Sequence, residues 1–132
     1  MVEVLEPLNL TGALDVYEHL VPYFERIKHR ADGIETKDLE ILIANEYVTL
    51  HPIGDEGYII ASWEEDEMFV VSAASFSLHC TNMPEYISAA VRYAKKHNCS
   101  KISFKSKRPA WRRIAIVFGF VSHGTDYYTK DL

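Results

Sequence analysis

The chain has 132 residues, 48% of them apolar and 25% charged, with a formal net charge of −5. That length supports one packed core and is too short for two independent ones, so residues 1–132 are expected to form a single domain. The composition excludes collagen-like, disordered and membrane-spanning readings: no run approaches the ~18 uninterrupted apolar residues of a spanning helix, and the opening MVEVLEPLNL is acidic where a leader would be basic.

In chain order, Val2, Val4 and Leu5 before Pro7 predict a short first strand. A helical run opens at Thr11, with Leu14, Tyr17, Leu20/Val21, Phe24 and Ile27 recurring at three- to four-residue spacing. Pro22 lies inside it and is expected to kink the helix or break it in two near Val21. Asp32-Gly33 closes the run. Thr36 is the expected N-cap of a second helix, Lys37 to Ala44, with Leu39, Leu42 and Ile43 facing inward.

From Glu46 the pattern turns to strands. Tyr47 to Ile53, Tyr58 to Trp63 and Met68 to Phe76 predict an antiparallel meander, joined by the Gly54-Asp55-Glu56-Gly57 turn and an acidic turn over Glu64 to Glu67. Met68 to Ala74 is apolar on both faces, so the third of these strands is expected to be central and covered on two sides. Ser77 to Met83 reads as a loop, and Pro84 to Asn98 as a helix with Ile87, Ala90/Val91 and Ala94 inward. Lys101 to Lys107 alternates with period two, Ile102 and Phe104 on one side and the lysines on the other. A helix from Pro109 to Phe118 ends at Gly119, and Val121 to Lys130 forms a last strand or bent hairpin interrupted at Gly124. The order β-α-α-β-β-β-α-β-α-β implies an α/β (mixed α+β) fold: an antiparallel meander feeding one helical crossover onto a parallel neighbour, with helices on both faces of a mixed sheet.

Charge is unevenly distributed. Residues 1–67 carry four Lys/Arg against sixteen Asp/Glu, whereas residues 68–132 carry ten against three. The basic residues gather at Arg92, Lys95 and Lys96, and again from Lys101 through Lys105, Lys107 and Arg108 to Arg112 and Arg113. Such a half either neutralises the acidic one within the fold or receives a phosphate-bearing ligand. Duplex nucleic acid is disfavoured, since the acidic chain lacks a broad positive footprint.

The element order, and the segment Arg108-Pro109-Ala110-Trp111-Arg112-Arg113-Ile114-Ala115-Ile116-Val117-Phe118-Gly119-Phe120 followed by a closing strand, resemble the GNAT family of N-acetyltransferases. The tail Gly124 to Leu132 ends in the Tyr-x-Lys-Asp-Leu manner of small members, and the short basic form ending His123-Gly124-Thr125 is similar to small acetyltransferase-like proteins of bacteriophages. The resemblance implies a GNAT-like sheet and acetyl-CoA as cofactor, entering where the strand at Met68–Phe76 splays from the strand at Lys101–Ser106. Pantetheine would pair with backbone along Ala73, Ala74, Ser75, Phe76 and Ser77. The pyrophosphate would lie at the next helix N-terminus, beyond a loop that includes Asn82. Lys105, Lys107 and Arg108 would hold the 3′-phosphate.

The chain departs from the family pattern in two places. Between Phe76 and Ile87 it has neither the glycines nor the arginine of the usual phosphate loop, and Glu85 puts a carboxylate in the first helical turn. Where many members carry a tyrosine four residues before the Gly-Phe glycine, this chain has Ala115. The base that takes the amine proton is then sought in His79 or the acidic-turn residues Glu64 and Glu65, and the acid in Tyr127 or Tyr128. Each also has a plainer reading, as a solvated turn or a sheet-packing aromatic.

Other chemistry finds less support. His79-Cys80 and His97-x-Cys99 flank one helix about 20 Å long at 1.5 Å per residue. That separation is too great for a shared zinc site or for a disulfide, which needs Cα atoms within ~7 Å. No metal is therefore expected, and two cysteines point to a reducing, cytoplasmic compartment. No hydrolase triad order, Walker loop or dinucleotide fingerprint occurs. Trp111 beside Arg112 and Arg113 reads either as core, at helical spacing from Ile114 and Phe118, or as a base-stacking platform for CoA adenine or a single strand.

Beside the binding of single-stranded nucleic acid through Trp111 and the basic cluster, two functions remain. One is an acyl-CoA-dependent N-acyltransferase acting on an amine-bearing small molecule or protein, the acidic half attracting the cationic acceptor. The other is a non-catalytic GNAT-fold interaction or structural protein with a protein partner, placed in a virion if phage-encoded. Neither calls for a membrane.

Overall fold

The computed structural model describes residues 2–27, 35–54, 57–75, 83–106, 109–124 and 126–132. Its elements are α1 (Leu10–Ile27), α2 (Thr36–Ala44), β1 (Thr49–Ile53), β2 (Gly57–Glu64), β3 (Glu67–Ser75), α3 (Met83–Lys96), β4 (Lys101–Lys105), α4 (Pro109–Val117), β5 (Val121–His123) and β6 (Tyr127–Asp131). The strands form one six-stranded mixed sheet in the order β1-β2-β3-β4-β6-β5. Only β3 and β4 run parallel, across the α3 crossover; the other pairs are antiparallel.

Strand alternation divides the core in two. On one face Ala61, Met68, Ile102 and Tyr128 pack with Ala89, Ala90, Tyr93 and Ala94 of α3, Ala115 of α4, and Phe120. On the other, Leu50 and Ile60 pack beneath Ala13, Tyr17, Leu20 and Phe24 of α1 and Leu39 and Ile43 of α2. As expected, β3 is central.

Several local expectations are corrected. The predicted first strand is reduced to one bridge, Val4 to Ile53, with Leu5 N–H donating to the Pro52 carbonyl (2.9 Å) and Leu8 N–H to that of Leu50 (2.9 Å). This segment runs along β1, where Pro52 is tolerated because β1 lies at the sheet edge. Asn9, rather than Thr11, opens α1: its Oδ1 accepts from Gly12 N–H at 2.7 Å. Pro22 does not break α1, which runs on to Ile27. Pro22 has no N–H to donate to the Glu18 carbonyl, and both residues are exposed, so that oxygen lies on the solvent side of the helix while the buried stripe from Ala13 to Phe24 holds both halves on the sheet.

Glu35, not Thr36, is the N-cap of α2. The Thr36 hydroxyl instead donates to Glu25, and its carbonyl accepts from the Tyr17 hydroxyl, tying α2 to α1. The acidic turn is shorter than expected. Glu64 ends β2 and Glu67 begins β3, directly opposite each other, and only residues 65–66 form the turn, with Glu65 at φ 51°. Gly119 closes α4 at φ 84°; Phe120 N–H donates to the Ala115 carbonyl and Gly119 N–H to that of Ile116, a Schellman ending.

Candidate active site

The face of the sheet that carries α1 and α2 over β1 to β3 is open at its other end. There, Ser62 and Glu64 of β2, Glu67 and Phe69 of β3, Lys105 of β4, and Asp126 and Tyr127 line a cleft of about 470 Å³. The pairing explains why they meet. Ser62 stands opposite Phe69, Glu64 opposite Glu67, and Lys105 opposite Tyr127, so alternation sends them to one face.

The chemistry centres on Glu67. Its Oε1 accepts from Ser103 Oγ at 2.6 Å and lies 3.4 Å from the Tyr127 hydroxyl. Lys105 Nζ sits 5.9 Å from the centre of the Tyr127 ring. Among the described lining residues, three carboxylates (Glu64, Glu67 and Asp126) stand against the single ammonium of Lys105, which gives this wall of the cleft a negative field.

The second feature is a fork in the backbone. β3 pairs with β4 only from Glu67 to Val70, the last pair being Val70 with Phe104. β3 continues to Ser75 against β2, while β4 continues to Lys105 against β6. A bulge at the fork, between the pairs Ala61–Val70 and Ile60–Ser72, leaves Val71 extra. From Val71 to Ser75, β3 therefore has no ladder partner on its β4 side among the described residues. The β3–β4 ladder thus ends in the region where the splay is expected, one residue before β4 itself ends at Lys105.

Of the residues singled out from the sequence, Glu64, Tyr127 and Lys105 line the cleft. Tyr128 does not: it is buried on the opposite face, stacked on Phe104 at 5.0 Å. Ala73, Ala74 and Ser75 lie on the stretch of β3 that pairs with β2 alone among the described residues, opposite Ile59, Tyr58 and Gly57. His79, Phe76, Ser77, Asn82, Lys107 and Arg108 lie outside the described residues. Glu85 is exposed in the first turn of α3, and Ala115 is buried in the core. Trp111 meets Phe104 edge-on at 5.5 Å, a packing contact. Sequence reasoning missed Glu67 and Ser103. Glu67 is two residues before Phe69 and so shares its face, a signal hidden by counting it in the turn.

No protein-family model and no curated protein matches the sequence. Solved structures do. The aminoglycoside acetyltransferase AAC(6')-Ib in complex with coenzyme A and kanamycin is similar over 99% of this chain and 95% of its own, with a TM-score of 0.65 at 15% identity. A GNAT family acetyltransferase from Brucella melitensis in complex with acetyl-CoA is similar over 100% of this chain and 88% of its own, with a TM-score of 0.68 at 10% identity. An acetyltransferase from Thermus thermophilus reaches a TM-score of 0.65 at 18% identity, covering 100% of this chain and 97% of its own. The chain has the GNAT fold. Within that fold the fork between β3 and β4 and the acidic cleft beside it lie on one continuous strand, β3.

Proposed function

We propose that this GNAT-fold chain is an acyl-CoA-dependent N-acyltransferase that acetylates a cationic amine. The observation that carries this reading is the placement of Glu67 on the same strand as the open edge from Val71 to Ser75, on the wall of an acidic cleft. The N–H and C=O groups of that edge, which have no β4-side ladder partner among the described residues, suit the amides of a pantetheine arm, which would add to β3 as an extra strand does. Acyl-CoA supplies an acyl group activated as a thioester.

The chain's own residues perform the proton work. Glu64, Glu67 and Asp126 draw a protonated amine into the cleft and orient it. Glu67 takes a proton from the bound ammonium, freeing the nitrogen lone pair to attack the thioester carbonyl. As the C–S bond breaks, the Tyr127 hydroxyl protonates the departing thiolate, and the second proton, shed by the nitrogen as the amide forms, returns to the Tyr127 oxygen. Phe69 and the Tyr127 ring wall off water.

A thermal melt with millimolar acetyl-CoA, CoA or ATP tests the reading. A ligand present at a hundred times its dissociation constant adds about 2.7 kcal/mol of stability. A shift with both CoA forms and not with ATP supports it, and the Glu67→Gln variant is then expected to keep that shift while losing turnover with the amines the wild type accepts. The absence of any shift would overturn it in favour of a non-catalytic binding protein, the reading that Glu85 in the first turn of α3 and the buried Ala115 favour.

A further inference from the structure

Ser103 is out of place by packing criteria. It lies in the middle of β4, fully buried, between Ile102 and Phe104 in an interior strand of the sheet. A buried hydroxyl is destabilising there unless it is hydrogen-bonded. Its register partner is Phe69, yet Oγ reaches diagonally to Glu67 Oε1 at 2.6 Å.

We propose that Ser103 is a positioning residue that fixes the Glu67 carboxylate from beneath and directs an incoming proton to Oε2. The inference rests on Glu67 being the base assigned above. Ser103 Oγ and the Tyr127 hydroxyl both donate to Oε1, and Oε2 has no partner among the described residues. An oxygen already accepting from a 2.6 Å donor is the poorer proton acceptor, so the lone pair that remains basic belongs to Oε2. The same bond stops the carboxylate from swinging. Charged or titratable groups facing Glu67 come from every neighbouring strand: Glu64 on β2, Lys101 and Lys105 on β4, Tyr127 on β6, with Asp126 at the β6 end of the cleft and His123 beyond it on β5. None of these is buried as Ser103 is. Ser103 alone approaches from the interior.

The test is steady-state kinetics and urea denaturation of the wild type and of Ser103→Ala, Ser103→Thr and Ser103→Cys, with turnover read by thiol release from acetyl-CoA and spermidine as probe amine. Ser103→Ala is expected to lower kcat by about ten- to a hundredfold, the scale of a misplaced reacting group, at unchanged KM. Ser103→Thr, which keeps the hydroxyl, is expected to restore kcat, and Ser103→Cys, a near-isosteric weaker donor, to fall between the two. A kcat unchanged across the series, or one that follows stability rather than the donor, would overturn the proposal. If Ser103→Ala does not fold, the Thr and Cys pair still decides it. If Glu67→Gln keeps full turnover, the assignment of the base fails, whatever the Ser103 series shows.

Discussion

Tyr127 and Tyr128 are adjacent in sequence and face opposite sides of the sheet: the first brings its hydroxyl 3.4 Å from Glu67, while the second stacks on Phe104 with 1% of its surface exposed. Their substitutions should separate function from stability. Tyr127→Phe is expected to leave the melting temperature nearly unchanged and to lower kcat by about a hundredfold, the scale of a lost general acid. Tyr128→Ala is expected to cost about 3–5 kcal/mol through the cavity it leaves. Urea denaturation alongside steady-state kinetics distinguishes the two, and a Tyr127→Phe enzyme of normal kcat would remove that residue from the proton path.

The pair Glu64 and Glu67 places like charges directly opposite one another next to a tight turn. Such pairs are destabilising, so Glu64→Gln is expected to stabilise the fold by about 0.2–1 kcal/mol. It should also weaken the hold on a cationic amine, raising KM several-fold with kcat little changed. Chemical denaturation and initial-rate kinetics on the same preparation measure both.

Stability should fall in mild acid because of His51. This ring is buried, and burial, the largest effect on it, holds its pKa below the ordinary value. A connected tautomer satisfies both ring nitrogens: Trp63 Nε1–H donates to Thr49 Oγ1 (2.8 Å), Thr49 donates to His51 Nε2 (2.6 Å), and His51 Nδ1–H donates to the Leu5 carbonyl (3.0 Å). A proton on Nε2 would face the Thr49 hydroxyl donor to donor. Tyr93, packed on His51 and pushed up to about 12 by burial and Glu6, does not titrate in the same range. With the folded pKa below the unfolded value of about 6.5, the unfolded chain binds the extra proton. Stability is thus intact above about pH 6.5 and declines below it until the folded pKa is passed. Urea midpoints across this range should show the slope, and His51→Asn should flatten it.

Glu46 adopts φ 58° at the end of α2, where Tyr47 N–H returns to the Leu42 carbonyl and Glu46 N–H to that of Ile43. This is a Schellman position that favours glycine. Glu46→Gly is expected to stabilise by about 0.5–1 kcal/mol, net of the glycine's greater unfolded-state entropy. A melting temperature raised by roughly 2–4 °C would bear this out.

The sequence made the architecture legible because the period changes cleanly, from three or four residues over Leu14 to Phe24 to two over Ile102 to Phe104, and Gly54, Gly119 and Gly124 punctuate it. The cleft was legible only in part. Glu64, Lys105 and Tyr127 are conspicuous polar residues at strand ends. Glu67 and Ser103 act as a pair because of the parallel register between β3 and β4, and nothing local to either segment encodes that register. Likewise, Asn9 competes with Thr11, and Glu35 with Thr36, for a cap within two residues of each other; the choice depends on contacts such as Thr36 with Glu25 that form only when the helices pack.

The unpaired edge of β3 from Val71 to Ser75 has a further consequence for handling the protein. An exposed row of backbone donors and acceptors does not discriminate between a ligand's amides and the extended segment of another chain. Among the described residues nothing pairs with this edge inside the fork, so the ligand-free protein is the form most open to strand invasion and self-association. Any molecule that seats along the edge should then act as a solubility factor as well, keeping copies of the chain apart in concentrated solution before any chemistry takes place.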